Sequence, residues 1–210
     1  MALFITFEGV DGVGKTTQAN MLLDFFIKKN VKARLIREPG STPLGERIRE
    51  ILLAGSQDSS PLAEFLLFSA ARAQITESII IPALKAGEFV IADRYFDSST
   101  AYQSFASGLN LSDVEAVNRV ASLGLIPDVT FLLDGPDLAA DGKKAPDNFE
   151  KKGLSFQNAA REGFAAIAKN HGRFAVINFD KSAAPHSIHG RVLKILSGRY
   201  QNEACFGDYS

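Results

Sequence analysis

The chain has 210 residues, 46% hydrophobic and 22% charged, with 23 lysines and arginines against 24 aspartates and glutamates. This balance, with no basic run longer than two residues, provides no concentrated cationic face for nonspecific nucleic-acid binding, and no apolar run approaches a membrane span. The one cysteine, Cys205, lies in a polar C-terminal tail and has no intrachain partner; with no basic leader or small-residue cleavage site at the N-terminus, the chain reads as one cytoplasmic α/β domain.

Ala2 to Glu8 is an apolar run that reads as a buried strand, and it leads straight into Gly9-Val10-Asp11-Gly12-Val13-Gly14-Lys15-Thr16. That octet has the P-loop form G-x-x-x-x-G-K-T. Behind it, Ala19, Leu22, Leu23, Phe26 and Ile27 recur at helical spacing. In a strand–turn–helix of this kind the backbone N–H groups converge and the helix N-terminus adds partial positive charge, which suits nucleotide phosphates. Lys15 is expected to reach the β- and γ-phosphates, and the Thr16 hydroxyl to ligate Mg²⁺. Lys32 to Glu38 is a second strand, ending in Arg37-Glu38-Pro39-Gly40-Ser41-Thr42. Arg37 there lies at the carboxyl edge of the sheet, where open α/β folds bind ligands. Pro61 to Ala86 has a helical pattern that Pro82 is expected to kink or end. Within it Phe68 and Arg72 stand four apart on one face, so a ring and a guanidinium project side by side.

A third strand, Glu88 to Arg94, runs into Tyr95-Phe96-Asp97-Ser98-Ser99-Thr100-Ala101-Tyr102-Gln103. Leu111 to Leu123 reads as a helix with Ser112 as its N-cap. Asp128 to Asp134 is a fourth strand, Arg173 to Phe179 a fifth, and Ala184 to Leu196 a last helix. Continuous apolar centres such as Phe131-Leu132-Leu133, alternating with helices, argue a parallel sheet with right-handed crossovers. The stretch 135–153, polar and holding Lys143, Lys144, Lys151 and Lys152, is too long for a plain connection and is either a lid or a surface insertion. His171, His186 and His189 have no metal-ligand spacing and take no role.

Taken together, these motifs make the chain resemble the thymidylate kinases. The family's G-x-D-G-x-G-K-T-T appears as Gly9 to Thr17, and its R-E-P-G-G-T with Ser41 for the second glycine. Its L-x-F-x-A-x-R-A-Q appears as Leu66 to Gln74, its D-R-Y-x-x-S-S-x-A-Y-Q as Asp93 to Gln103, and its P-D-L-T-x-x-L-D as Pro127 to Asp134 with Val129 for leucine. The resemblance implies a three-layer P-loop α/β/α fold with five parallel strands in the order 2-3-1-4-5. It implies one kinase domain over 1–210, with a short lid at about 135–153 and a polar tail from about 199. The activity implied is transfer of a phosphoryl group from ATP to dTMP with Mg²⁺, giving dTDP, by a homodimer packed through long helices.

Residue by residue, the resemblance implies that Gly9 to Thr17 bind ATP. Phe68 stacks on thymine, Arg72 donates to its O4 and Gln103 completes base recognition at N3. Tyr102 sits against C2′, Asp11 accepts from the 3′-hydroxyl, and Ser98 lines the same substrate site. Arg37 and Arg94 hold the acceptor phosphate, because a guanidinium matches phosphate with two parallel donors. Asp93 holds Mg²⁺ or its water shell. Many members without a P-loop arginine bring arginines from the lid, but here Gly12 occupies the P-loop position and no arginine occurs between Arg119 and Arg161. Arg161, first, and Lys144, second, are the expected substitutes, so the catalytic set is Lys15, Arg94, Asp93 and Arg161. Two alternatives stand beside this reading: a nucleotide-binding protein with impaired catalysis, and a kinase for another nucleoside monophosphate.

Overall fold

The computed structural model describes residues 2–54, 59–137, 152–201, 203 and 205–206. Strands β1 (Phe4–Glu8), β2 (Ala33–Arg37), β3 (Phe89–Asp93), β4 (Val129–Asp134) and β5 (Phe174–Asn178) form one parallel sheet in the order β2-β3-β1-β4-β5. This is the order the motifs implied. Register aligns Arg37 and Phe7 with Asp93, and Glu8 with Leu132, so the carboxyl ends of four strands meet at one edge.

Strand alternation sorts the core into layers. Ile5 and Phe7, with Ile91, Phe131 and Ile177, face helix α1 (Lys15–Lys28) and the C-terminal helix Pro185–Arg199. Phe4, Val90 and Ala92 face the opposite way, towards Ile75, Ile80 and Tyr95. Beside them Leu132 packs with Tyr102 and Phe164. The polar members of β1 point to this second face: Thr6 shares a 2.8 Å hydrogen bond with Thr130, and Glu8 is fully buried.

Local structure departs from the sequence reading in several places. Helix α2 (Pro43–Ala54) was not foreseen: Ile48 and Leu52 are buried, but Leu44 and Ile51 on another face are exposed and blur its period. Helix α3 (Pro61–Ile75) begins as expected, with Ser60 accepting from the Ala63 N–H. Pro82 does not end it. A π-helical turn, Thr76–Ile80, intervenes, and the Ile81 N–H reaches back five residues to the Thr76 carbonyl. That wide turn accommodates the proline ring at the start of α4 (Ile81–Lys85). The run after Asp93 is also helical, as α5 (Phe96–Ser99) and a second π-helical segment, Thr100–Ala106. Helix α6 (Leu111–Ala121) is capped by Asn110, whose Oδ1 accepts from the N–H groups of Ser112 and Asp113; Ser112 lies inside the helix and is not its cap. Helix α7 (Leu154–Asn170) follows β4, and α8 is Pro185–Arg199. No helix among the described residues is long and apolar enough to cross a membrane.

The tail is not uniformly polar. Phe206 is 2% exposed and Cys205 is buried beside it. The Phe206 ring stacks on Phe25, with centroids 6.2 Å apart, and meets Phe26 edge-on at 5.9 Å. Phe206→Ala is therefore expected to cost about 3 kcal/mol, the usual range for deleting a buried ring. Chemical denaturation measures it, and a loss under about 0.5 kcal/mol would mean that the tail is only loosely attached.

Candidate functional site

Three glycines of the P-loop adopt positive φ: Gly9 (+139°), Gly12 (+74°) and Gly14 (+94°). At Gly9 the need is also steric, because a Cβ would come 2.5 Å from the Leu133 carbonyl oxygen. A Cβ at Gly12 would overlap the carboxylate of Asp137, which follows β4 and lies against the loop. Lys15, the first residue of α1, is buried and turns its ammonium back onto the Val10 carbonyl at 2.7 Å. Burial, then repulsion from Arg94, pulls the Lys15 ammonium down to about 8, against the attraction of Asp11, Asp93 and Glu8. Thr17 is exposed on the first turn.

Arg94 joins this loop to the neighbouring wall. Its backbone holds φ +74° and its N–H donates to the Phe7 carbonyl. Nη1 donates to Gly9 O at 3.0 Å and to Ser98 Oγ at 2.8 Å, and Nη2 donates to Asp11 Oδ1 at 2.5 Å. Although burial works against the charge, Tyr102, Asp11, Glu8 and Asp93 hold Arg94 firmly protonated. Glu8 supports the turn beneath. Oε1 accepts from the Tyr95 N–H at 2.7 Å and Oε2 from the Ser98 hydroxyl at 2.6 Å. Burial, then Asp97, pushes the Glu8 carboxyl upward, and Arg94 opposes them. Burial also acts to raise Asp11, but Arg94, Lys15, Gln157 and Tyr102 outweigh it and keep that carboxyl below its usual range.

Beyond Arg94 a cleft opens whose walls include Asp11, Phe68, Arg72, Ser98, Tyr102 and Gln103. The structure thus brings together most of the expected substrate residues. Phe68 is half-buried against Ile48, Leu52 and Ala71, with the rest of its ring on the cleft. The Tyr102 hydroxyl donates to Asp11 Oδ2 at 3.2 Å. Gln103 is buried, and its side-chain amide makes no hydrogen bond to any described residue. Arg72 is buried and donates to Glu38, Asn118, Ser99 and the Tyr95 carbonyl.

Arg37 is the exception. It is not part of the cleft wall; its side chain, half-exposed at the end of β2, is drawn to Glu46 of α2 at 2.9 Å. Arg49, one turn further along α2, lines the cleft instead and donates to the Pro39 carbonyl at 3.0 Å.

Thr16 Oγ1 donates to Asp93 Oδ2 at 2.5 Å across the mouth of the P-loop. A hydroxyl and a carboxylate are the hard oxygen donors that suit Mg²⁺, which keeps several waters and needs few protein ligands. No cluster of three or more His, Cys, Asp or Glu suited to a metal occurs among the described residues.

The thymidylate kinase family model matches residues 7–187. This chain belongs to the thymidylate kinase family. Among similar proteins, the thymidylate kinase of Prosthecochloris aestuarii is 39% identical over 94% of both chains. That of Chlorobaculum parvum is 42% identical over 92% of this chain and 95% of its own. The crystal structure of the thymidylate kinase from Ehrlichia chaffeensis superposes with a TM-score of 0.78 at 35% identity, covering 93% of this chain and 98% of that one.

Within this kinase fold the cations of 135–153 and of α7 are unequally placed. Lys143, Lys144 and Lys151 lie outside the described residues. Lys152 pairs with Glu64 at 2.8 Å and sits over the Phe156 ring. Arg161, on α7, reaches Asp134 at the end of β4, Nε to Oδ1 2.7 Å, at the same sheet edge as the P-loop. Several contacts were missed from sequence. Gln157 donates to Asp11 Oδ2 at 3.1 Å, Glu8 braces Arg94, and Glu38 and Asn118 hold Arg72. Of these only Glu8, a charge closing an apolar strand, and Glu38, beside a motif arginine, carried any signal in the sequence.

The lowered Lys15 predicts that phosphate binding at this loop depends on pH. Its proton is bound below about 8 and lost above it, so affinity for a phosphate is full at neutral pH and falls as pH rises through that value. Titration calorimetry should find the Kd for ATP weakened about tenfold between pH 7.5 and 9, since a binding-linked proton costs about tenfold per pH unit above its pKa. Lys15→Met should bind ATP weakly with no such slope. A flat wild-type profile would remove Lys15 from the phosphate site.

Proposed function

We propose that the two halves of the site divide one reaction, phosphoryl transfer from ATP to dTMP, which yields dTDP as a step in dTTP synthesis. The observation that carries the division of roles is Arg94, which touches Gly9 and Asp11 of the P-loop and forms the cleft wall shared with Phe68, Arg72 and Gln103. The glycine-rich loop and Lys15 hold the β- and γ-phosphates of ATP. Thr16 and Asp93 hold Mg²⁺, which when bound neutralises phosphate charge. Phe68 stacks on the thymine, Arg72 donates to its C4 carbonyl, and Gln103 pairs with N3. Tyr102 leaves no room at C2′ for a ribose hydroxyl, and Asp11 accepts from the 3′-hydroxyl. Arg94 directs the acceptor phosphate, with Arg49 a nearer second cation than Arg37. Little covalent chemistry is asked of the protein; it aligns the two phosphates and stabilises charge on the group in transfer. Arg161 supplies a mobile cation for that charge. Neither alternative reading gains an observation of its own.

The partner we infer is a second copy of the chain. Leu62 and Leu66 lie one turn apart on α3, and Leu44 and Ile51 two turns apart on α2, all about half-exposed on helices packed against each other. Exposed apolar side chains grouped on two neighbouring helices are the kind of surface a partner chain would cover. Sedimentation equilibrium should give a dimer mass that Leu62→Glu with Leu66→Glu lowers to the monomer value; a monomeric wild type would exclude it. The reading places the enzyme in the cytoplasm.

A coupled ADP-release assay across the monophosphates tests the function directly. The expected order of kcat/KM is dTMP, then dUMP, then dCMP, because a missing methyl costs only about 1–3 kcal/mol whereas a mispaired polar group costs more. In the same assay Arg161→Ala should lower kcat by about tenfold or more and change either KM less, as befits a charge used in the transition state. Comparable rates with dCMP would show the base site to be misread, and an Arg161→Ala kcat within twofold of wild type would exclude that arginine from the chemistry.

A further inference from the structure

The guanidinium of Arg72 has five N–H donors. Nε donates to Glu38 Oε2 at 2.9 Å, Nη2 to Ser99 Oγ at 3.0 Å and to the Tyr95 carbonyl at 3.5 Å, and Nη1 to Asn118 Oδ1 at 2.9 Å. One hydrogen on Nη1 is left for the cleft that Arg72 lines. Beside it is a group of opposite sense. Glu38 also lines the cleft, its side chain is 4% exposed, and its Oε1 is buried without a hydrogen-bond partner. The same cleft wall therefore holds both a donor and an unpaired acceptor. A 4-oxopyrimidine needs the donor and a 4-aminopyrimidine needs the acceptor.

Asn118 decides which is presented. It stands on α6, outside the motifs, and is itself fixed: Nδ2 donates to the Phe96 carbonyl at 3.2 Å and to Thr100 Oγ1 at 3.1 Å. Behind it lies a cavity of about 490 Å³ between α6 and α7, with Asn118 in its wall. Without the Asn118 amide the guanidinium has both a freed Nη1 and space to withdraw into, which would uncover Glu38 Oε1.

We propose that Asn118 is a positioning residue that sets base specificity: by holding Nη1 of Arg72 it keeps that donor presented to the cleft, and so selects a carbonyl over an amino group at C4 of the bound pyrimidine. The proposal rests on the placing of the base against Arg72 given above.

The test is the ratio of kcat/KM for dTMP to that for dCMP in the full-length enzyme, with thermal melting and KM for ATP as measures of the fold. Asn118→Ala should lower the ratio at least tenfold, with dCMP use rising in absolute terms. Asn118→Asp keeps an acceptor for Nη1 and should hold the ratio within threefold of wild type. Adding Glu38→Gln to Asn118→Ala replaces the uncovered acceptor with an amide and should restore most of the lost discrimination. If Asn118→Ala does not fold, Asn118→Ser carries the same comparison. Equal losses for both substrates, or an unchanged ratio with a lower melting temperature, would reduce Asn118 to a structural role and overturn the proposal. A wild type that shows no preference for dTMP would instead overturn the reading of the base site beneath it.

Discussion

A partly buried guanidinium cannot shed its charge, so the protein has to surround Arg94 with acceptors before anything else at this edge of the sheet can be arranged. It does so with groups from three segments: the Gly9 carbonyl and Asp11 from the P-loop, Ser98 from α5, and the Glu8 carboxylate close behind. The cost includes a backbone held at positive φ in a residue with a side chain, which persists only when the surroundings over-determine it. Here they do. The Arg94 N–H is tied to Phe7, and the next N–H, that of Tyr95, to Glu8. Because each tie runs to β1 or to the loop that follows it, the donor half of the site and the acceptor half cannot shift independently.

The second face of the sheet also carries a buried polar cluster, nearer the middle and amino end of the strands. Thr6 and Thr130 bond to each other across β1 and β4. Arg173 donates to Thr130 and forms a two-pronged pair with Asp97 at 2.7 and 2.8 Å. Asp97 lies in the first turn of α5, the element that carries Ser98, Ser99 and, beyond them, Tyr102 and Gln103. A run of apolar side chains would have packed this face as well, but it could not have set the orientation of a short helix whose inward side is largely serine and threonine. Directional bonds to buried charges do that, at the expense of desolvation that only complete pairing offsets.

How much of this was legible depended on range. The strands were, because five apolar runs bounded by turn signals have few other readings, and their order came with the motifs. Lys15, Thr16, Asp93 and Arg94 could be placed together because strand ends of a parallel sheet share an edge. The segment Phe96 to Ala106 was not read as helical; its serines and threonines look like loop, and tertiary bonds override that preference. Phe206 was misjudged because one ring in a polar tail has no period. Arg37 was placed by motif in the phosphate site, whereas the Glu46 carboxylate one helix away draws it outward. Asn118 and Gln157 gave no signal, since each matters only through a partner more than forty residues distant.

The shortage of arginine around 135–153 becomes intelligible once the P-loop geometry is considered. Gly12 has positive φ and the Asp137 carboxylate lies where its Cβ would be, so a side chain at this position would meet both a disfavoured backbone and that carboxylate. On the function proposed above, further charge for the phosphoryl group comes from another element. Arg94 does not qualify as the mobile cation, because its bonds hold the fold of the edge together. Arg161 differs on each count. It is half-exposed, it donates through Nε alone, and its partner Asp134 is itself partly in water. A pair of that kind is worth about 0–1 kcal/mol, so a phosphate can take the arginine from it at little cost. Its two terminal nitrogens make no hydrogen bond to any described residue and form the planar fork that matches two phosphate oxygens. On the function proposed above, the site separates two tasks that one kind of side chain can perform: Arg94 fixes the geometry of the edge while directing the acceptor phosphate, and Arg161 is the cation proposed for the charge that develops during transfer.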